Sequence, residues 1–144
     1  MGVDVAELTP FIFARYPVVV TVGNTSYVRA LQTANADGSL TFACAIDEGI
    51  VLTVANGLDM VDNLEQAFAQ VRARIGPPSL ILGCDCILRL LHAQSLGVRG
   101  RIGEIMIANN VVGFATYGEQ FNSMHLNYTF TGVALGSGRA GARE

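Results

Sequence analysis

Residues 111–135, VVGFATYGEQFNSMHLNYTFTGVAL, hold two runs of strand-forming residues around a compact polar cluster, and the fold turns on how those runs pair. The first run, residues 111–117, and the second, residues 128–135, are rich in β-branched and aromatic side chains, as half-buried strands require. Gly118, Glu119, Asn122, His125 and Asn127 lie between them. If the runs pair as neighbours, a carboxylate, an imidazole and two carboxamides fall on a short connection and on strand ends, where scaffolds display binding groups. The expectation is that Glu119 and His125 face a common hollow.

Working outward, residues 79–83 (SLILG) form a short apolar run of the kind that makes a central strand, ending at Cys84-Asp85-Cys86. Residues 87–106 read as two short helices, or one broken at Gly97 and Gly100. Upstream, Val61, Leu64, Phe68, Val71 and Ile75 make a 3.6-residue stripe, with Asp59 or Asp62 as cap and Gly76-Pro77-Pro78 as stop. Before that helix the period is two. Residues 18–22, 27–34, 39–46 and 50–55 read as successive strands, with turns at Gly23-Asn24-Thr25, Asp37-Gly38 and Asp47-Glu48-Gly49. The order is β-β-β-β-α-β-α-β-β, an α+β fold in which helices pack on a mostly antiparallel (mixed) sheet. One domain is expected over residues 1–135, with 1–16 as a lead-in and 136–144 as a flexible tail.

Composition narrows the function. The chain has 144 residues, 51% hydrophobic and only 15% charged, enough for one domain core. A net charge of −3, with nine scattered basic residues that are all arginine, argues against nucleic acid as a partner. No run of 18 apolar residues and no signal-peptide pattern is present, so no membrane partner and a cytoplasmic location are expected. Cys44, Cys84 and Cys86 are too few for a secreted disulfide framework and suit a reducing compartment. So few charges leave an apolar surface, which implies a homo-dimer or an interdomain contact.

Two motifs carry a family resemblance. Gly113-Phe114-Ala115-Thr116-Tyr117-Gly118-Glu119 resembles the "GF-x-T-Y-GE" of the FIST carboxyl-terminal domain, and His125-Leu126-Asn127-Tyr128-Thr129 resembles its "H-x-N-x-T". The strand-to-helix junction at residues 83–89 and the Asp37-Gly38-Ser39-Leu40 turn also fit, so the likeness runs from about residue 17 to residue 135. The resemblance implies an intracellular sensory domain that binds a small polar metabolite, amino-acid-like in class. It further implies that the signal passes to an amino-terminal FIST half or to output modules such as chemotaxis receptors, kinases or cyclic-nucleotide enzymes. Haem is associated with some members. The amino-terminal half is absent from these 144 residues.

The candidate ligand-binding set is Cys84, Arg89, Tyr117, Glu119, His125, Asn127 and Thr129. Glu119 could receive a cationic group while amides and hydroxyls orient a polar ligand, although Asn127 and Thr129 could equally bond to backbone alone. Arg89 could pair with a ligand carboxylate or with Glu119, or be structural. Cys84 and Cys86, near a helix start, could have activated thiols, but small core residues are the plainer reading. A zinc site would need Cys84, Cys86, His92 and His125 brought together by the fold. No catalytic motif is visible, so an enzyme is not expected. The alternatives to a metabolite sensor are a haem-based nitric oxide sensor ligated by His125 and, from another class, a thiol enzyme.

Overall fold

The computed structural model of the chain describes residues 10–136, so the expected tail at 136–144, apart from Gly136, and the first nine residues of the lead-in lie outside the described residues. The rest of the lead-in is a short helix, α1 (Pro10–Arg15), with proline at its first position, where a missing N–H costs nothing. β1 (Val18–Val22) is a β-branched run that turns at Gly23, φ 61°, into its antiparallel partner β2 (Thr25–Arg29). The single strand expected over 27–34 is two. Pairing breaks at Ala30, and β3 (Leu31–Ala34) joins β4 (Leu40–Phe42) in a separate hairpin. Its turn is the expected one: the hydroxyl and backbone N–H of Ser39 donate to Asp37 at 2.7 and 2.9 Å, which lowers the Asp37 pKa.

The third strand of the expected meander shrinks to β5 (Thr53–Val54), which pairs with β1 and not with β4. β1 otherwise had a free edge, whose backbone donors and acceptors β5 satisfies. Residues 43–52 are therefore irregular, contrary to the alternation read over 39–46 and 50–55.

α2 (Met60–Ile75) follows the apolar stripe, with Leu64 and Phe68 buried and Val61 packed beside them. Asp59 is the cap, accepting from the N–H groups of Val61 and Asp62, both at 2.9 Å. Past Gly76, φ 73°, β6 (Pro78–Cys86) is the central strand and is longer than expected. α3 (Ile87–Ser95) and α4 (Arg99–Ala108) are two helices, parted at Gly97, φ 71°. Then come β7 (Val111–Thr116), the hairpin of β8 (Glu119–Phe121) and β9 (Met124–Leu126), and β10 (Phe130–Gly136).

The two strand runs of residues 111–135 are not neighbours. β6 lies between them, parallel to β7 and antiparallel to β10. The helical crossover through α3 and α4 is what allows the parallel pair, and β10 takes the remaining edge of β6. Ile81, Val111, Ala134 and Phe130 turn one sheet face onto α2, α3 and α4. Gly83, Gly113 and Gly132 stand in register across the three strands, and the Phe130 ring lies over Gly83, where a Cβ would come within 2.6 Å of it. Phe130 meets Phe68 edge to face at 5.9 Å between centroids. The opposite face is bare: Leu82, Val112 and Val133, paired in register, are 51, 53 and 63% exposed.

The chain thus has a first lobe, residues 10–54, and a second, residues 60–136. They meet where α1 and β2–β3 approach α3, and where β2 touches β9.

Candidate functional site

The β8–β9 hairpin decides where the polar residues point. Asn122 and Ser123, φ 51° and 62°, form a two-residue turn with both residues left-handed, which matches the twist of paired strands. This hairpin is absent from the sequence reading. Its signal is the Asn-Ser pair between EQF and MHL, weakened by the lack of glycine. Opposed residues share a face, so Glu119 and Leu126 turn inward, 3 and 5% exposed, while Gln120 and His125 turn to solvent. The expectation that Glu119 and His125 share a hollow is therefore corrected. The His125 imidazole lies over the Gly118 backbone, where any Cβ would overlap it.

Glu119 instead clasps the end of the sheet. One oxygen accepts from the hydroxyl of Thr116 at the end of β7, and the other from Thr129, just before β10, at 2.7 Å. The Thr129 carbonyl accepts from Cys86 N–H at 3.0 Å, which closes the cluster over the end of β6. Asn127 is fully buried and donates to the Tyr117 carbonyl at 3.3 Å, while its Oδ1 has no hydrogen-bond partner among the described residues. Three of the predicted residues, Glu119, Asn127 and Thr129, are thus brought together. Tyr117 contributes only its backbone, its side chain being 88% exposed.

Arg89 pairs with Asp85 and not with Glu119. It donates from Nε to Asp85 at 2.7 Å, one turn earlier, with both residues buried. Burial pushes the Asp85 carboxyl up, Arg89 offsets part of this, and the nearby Glu119 adds to it. Burial also raises the Cys86 thiol, the opposite of an activated nucleophile. Cys84 is half-buried on the bare sheet face, away from the clasp.

On the other side of residues 125–129 lies a partly enclosed cavity of about 130 Å³ between the lobes. Phe13, Val28, Leu31, Leu88 and Leu91 give it apolar walls, and Arg29 and Tyr128 supply polar groups. Tyr128 holds φ at 61°, a strained conformation for an aromatic residue and one that tends to mark functional positions. Its hydroxyl bonds Nδ1 of His92. Burial raises the phenol and lowers the His92 imidazole, which favours the neutral form of both groups. Arg29 is 7% exposed and donates from Nη1 to the His125 carbonyl at 2.7 Å. Sequence reasoning missed both. The available signal was Tyr27-x-Arg29-x-Leu31, a charge at an inward position of an alternating strand.

A second, open cleft of about 360 Å³ between α2 and α4 has charges that satisfy one another, Arg101 bridging Glu65 at 2.6 Å and Glu104 at 3.2 Å. No group of three or more His, Cys, Asp or Glu residues is placed to hold a metal among the described residues, so Cys84, Cys86, His92 and His125 do not form the zinc set considered above. His125, the expected haem ligand, is exposed and does not line the apolar cavity.

A family model described as the FIST C domain matches residues 1–122. The chain belongs to the FIST C domain family. FIST C domains are sensory domains of signal-transduction proteins, a family not known for catalysis. The matched span contains Arg29, Cys84, Arg89, Tyr117 and Glu119 and ends before His125, Asn127 and Thr129. No curated protein and no solved structure matches the chain. No helix among the described residues of this FIST C domain is long and apolar enough to cross a membrane.

Proposed function

We propose that this FIST C domain is the ligand-receiving unit of a signalling protein, and that its small-molecule site is the cavity between the lobes and not the Glu119 cluster. The observation that carries this is the contrast in satisfaction. Each Glu119 oxygen already accepts from a threonine hydroxyl, whereas the cavity has apolar walls beside Arg29 and the strained Tyr128. Small-molecule sites are characteristically apolar concavities with a few placed polar groups, found where two units meet.

Occupancy of this cavity would be felt at residues 125–129, which form its wall at Tyr128 and the clasp at Thr129. The bare sheet face around Leu82, Val112, Phe114 and Val133 suits the next step, contact with an amino-terminal FIST half or an output module. The free cysteines fit a reducing compartment such as the cytoplasm. We assign no catalytic step, because the Cys86 thiol is buried and raised.

Thermal shift of the 144-residue chain against a library of small metabolites tests the reading, since a ligand of the native state stabilises by mass action. A stabilising compound should lose its effect in Leu88→Phe, which fills the cavity, and keep it in Gln120→Ala on the outer face of the hairpin. The reverse pattern would move the site to the hairpin and sink the proposal.

A further inference from the structure

Arg29 carries a charge that the described residues do not neutralise. It is 7% exposed and makes no ion pair among them. Its one hydrogen bond goes to the His125 carbonyl, and its Nε is buried without a partner. A guanidinium offers five donors in a planar fork, and a buried cation without an anion is costly unless one is supplied. Arg29 also lines the cavity, whose other walls are mostly hydrocarbon.

We propose that this cavity takes a small apolar monocarboxylate, its carboxylate paired with Arg29 and its body enclosed by Phe13, Val28, Leu31, Leu88 and Leu91. The inference rests on the cavity being the ligand site proposed above and names the ligand class for it. The cavity of about 130 Å³ is close to an apolar cavity that holds benzene, so the body has roughly four to six carbons. No acidic side chain lines it. An α-ammonium group would therefore enter with nothing to pair it, which selects simple carboxylic acids over amino acids of the same side chain. Arg29 is the cation lining the cavity, and the Tyr128 hydroxyl, bonded to His92, is a neutral group beside it.

The test uses the whole chain at pH 7 with benzoate, benzamide, isovalerate, isovaleramide, leucine and benzene, read by thermal shift and calorimetry. The acids should bind at least tenfold more tightly than their amides, and leucine should give no shift. In Arg29→Gln the acid-to-amide ratio should collapse to near one. Should that variant fail to fold, the ratio on the unmodified chain still decides. Amides binding as well as acids, or leucine binding as well as isovalerate, would overturn the carboxylate assignment while leaving the cavity as the site. If none of the probes, benzene included, stabilises the chain, the cavity itself is not the site and both readings fall.

Discussion

The second lobe folds around a shared core, with Leu64, Phe68, Ile81, Ile102 and Ile105 buried together, whereas the buried apolar residues of the first, among those described, are Ala14, Val19, Tyr27, Ala30 and Leu31 across a short helix and three small strands. The difference lies in sheet order. β6 is paired on both sides and covered by helices on one face, while the first lobe consists of a three-stranded sheet and a separate two-stranded hairpin, neither with a helical layer of its own. Small two-stranded units are marginal alone. The first lobe therefore leans on the second through the cavity walls and the Arg29 to His125 bond, and a compound filling that cavity would tie the two together.

The contrast is broken or sharpened by the following measurements. Phe68→Ala should cost about 3–5 kcal/mol in urea unfolding, since it empties the contact between α2 and Phe130 in the second lobe. A loss under about 1 kcal/mol would mean that the core is not where the stability resides. Glu119→Ala should cost about 2–4 kcal/mol by leaving the Thr116 and Thr129 hydroxyls without their shared acceptor. By hydrogen exchange, amides of β3 and β4 should exchange on the order of 100-fold faster than those of β6, and a cavity ligand should narrow the gap. Equal protection in both lobes would erase the distinction.

A pH series gives a smaller effect. Burial holds the His92 imidazole below its ordinary value of 6.5, so the unfolded chain takes up this proton before the folded chain does. The resulting stability is present above pH 6.5 and is lost as pH falls from there through the folded value. His92→Phe should flatten that slope, and an unchanged slope would exclude His92 as its source. Smallest of all, His125→Ala should change stability by no more than about 0.5 kcal/mol, because the imidazole is exposed and only the backbone of His125 bonds Arg29. A large loss would restore His125 to a central role.

Much of the second lobe was legible because its signals are local and strong. The Leu64 and Phe68 stripe, the stop at Gly76 and the apolar run inside β6 each read correctly from spacing alone, while the cap, open between Asp59 and Asp62, was decided by the structure. The first lobe was less legible, because residues 43–52 alternate as a strand would, yet the structure pairs them in no sheet. Of the candidate site, the polar residues were found but their directions were not. A single unread turn at Asn122-Ser123 sets which of Glu119 and His125 faces inward, since side chains alternate and one step of register reverses them.

Residue order by itself determined the α+β class, the limits of α2 and the family, because propensity, periodicity and short motifs act within a few residues of one another. Only the tertiary structure decided that β6 separates the two runs of residues 111–135, that each Glu119 oxygen accepts from a threonine hydroxyl, and that Arg29 stands beside an apolar cavity. Those outcomes depend on contacts such as Arg29 with His125, ninety-six positions apart in the chain, and no local pattern encodes which distant groups will meet.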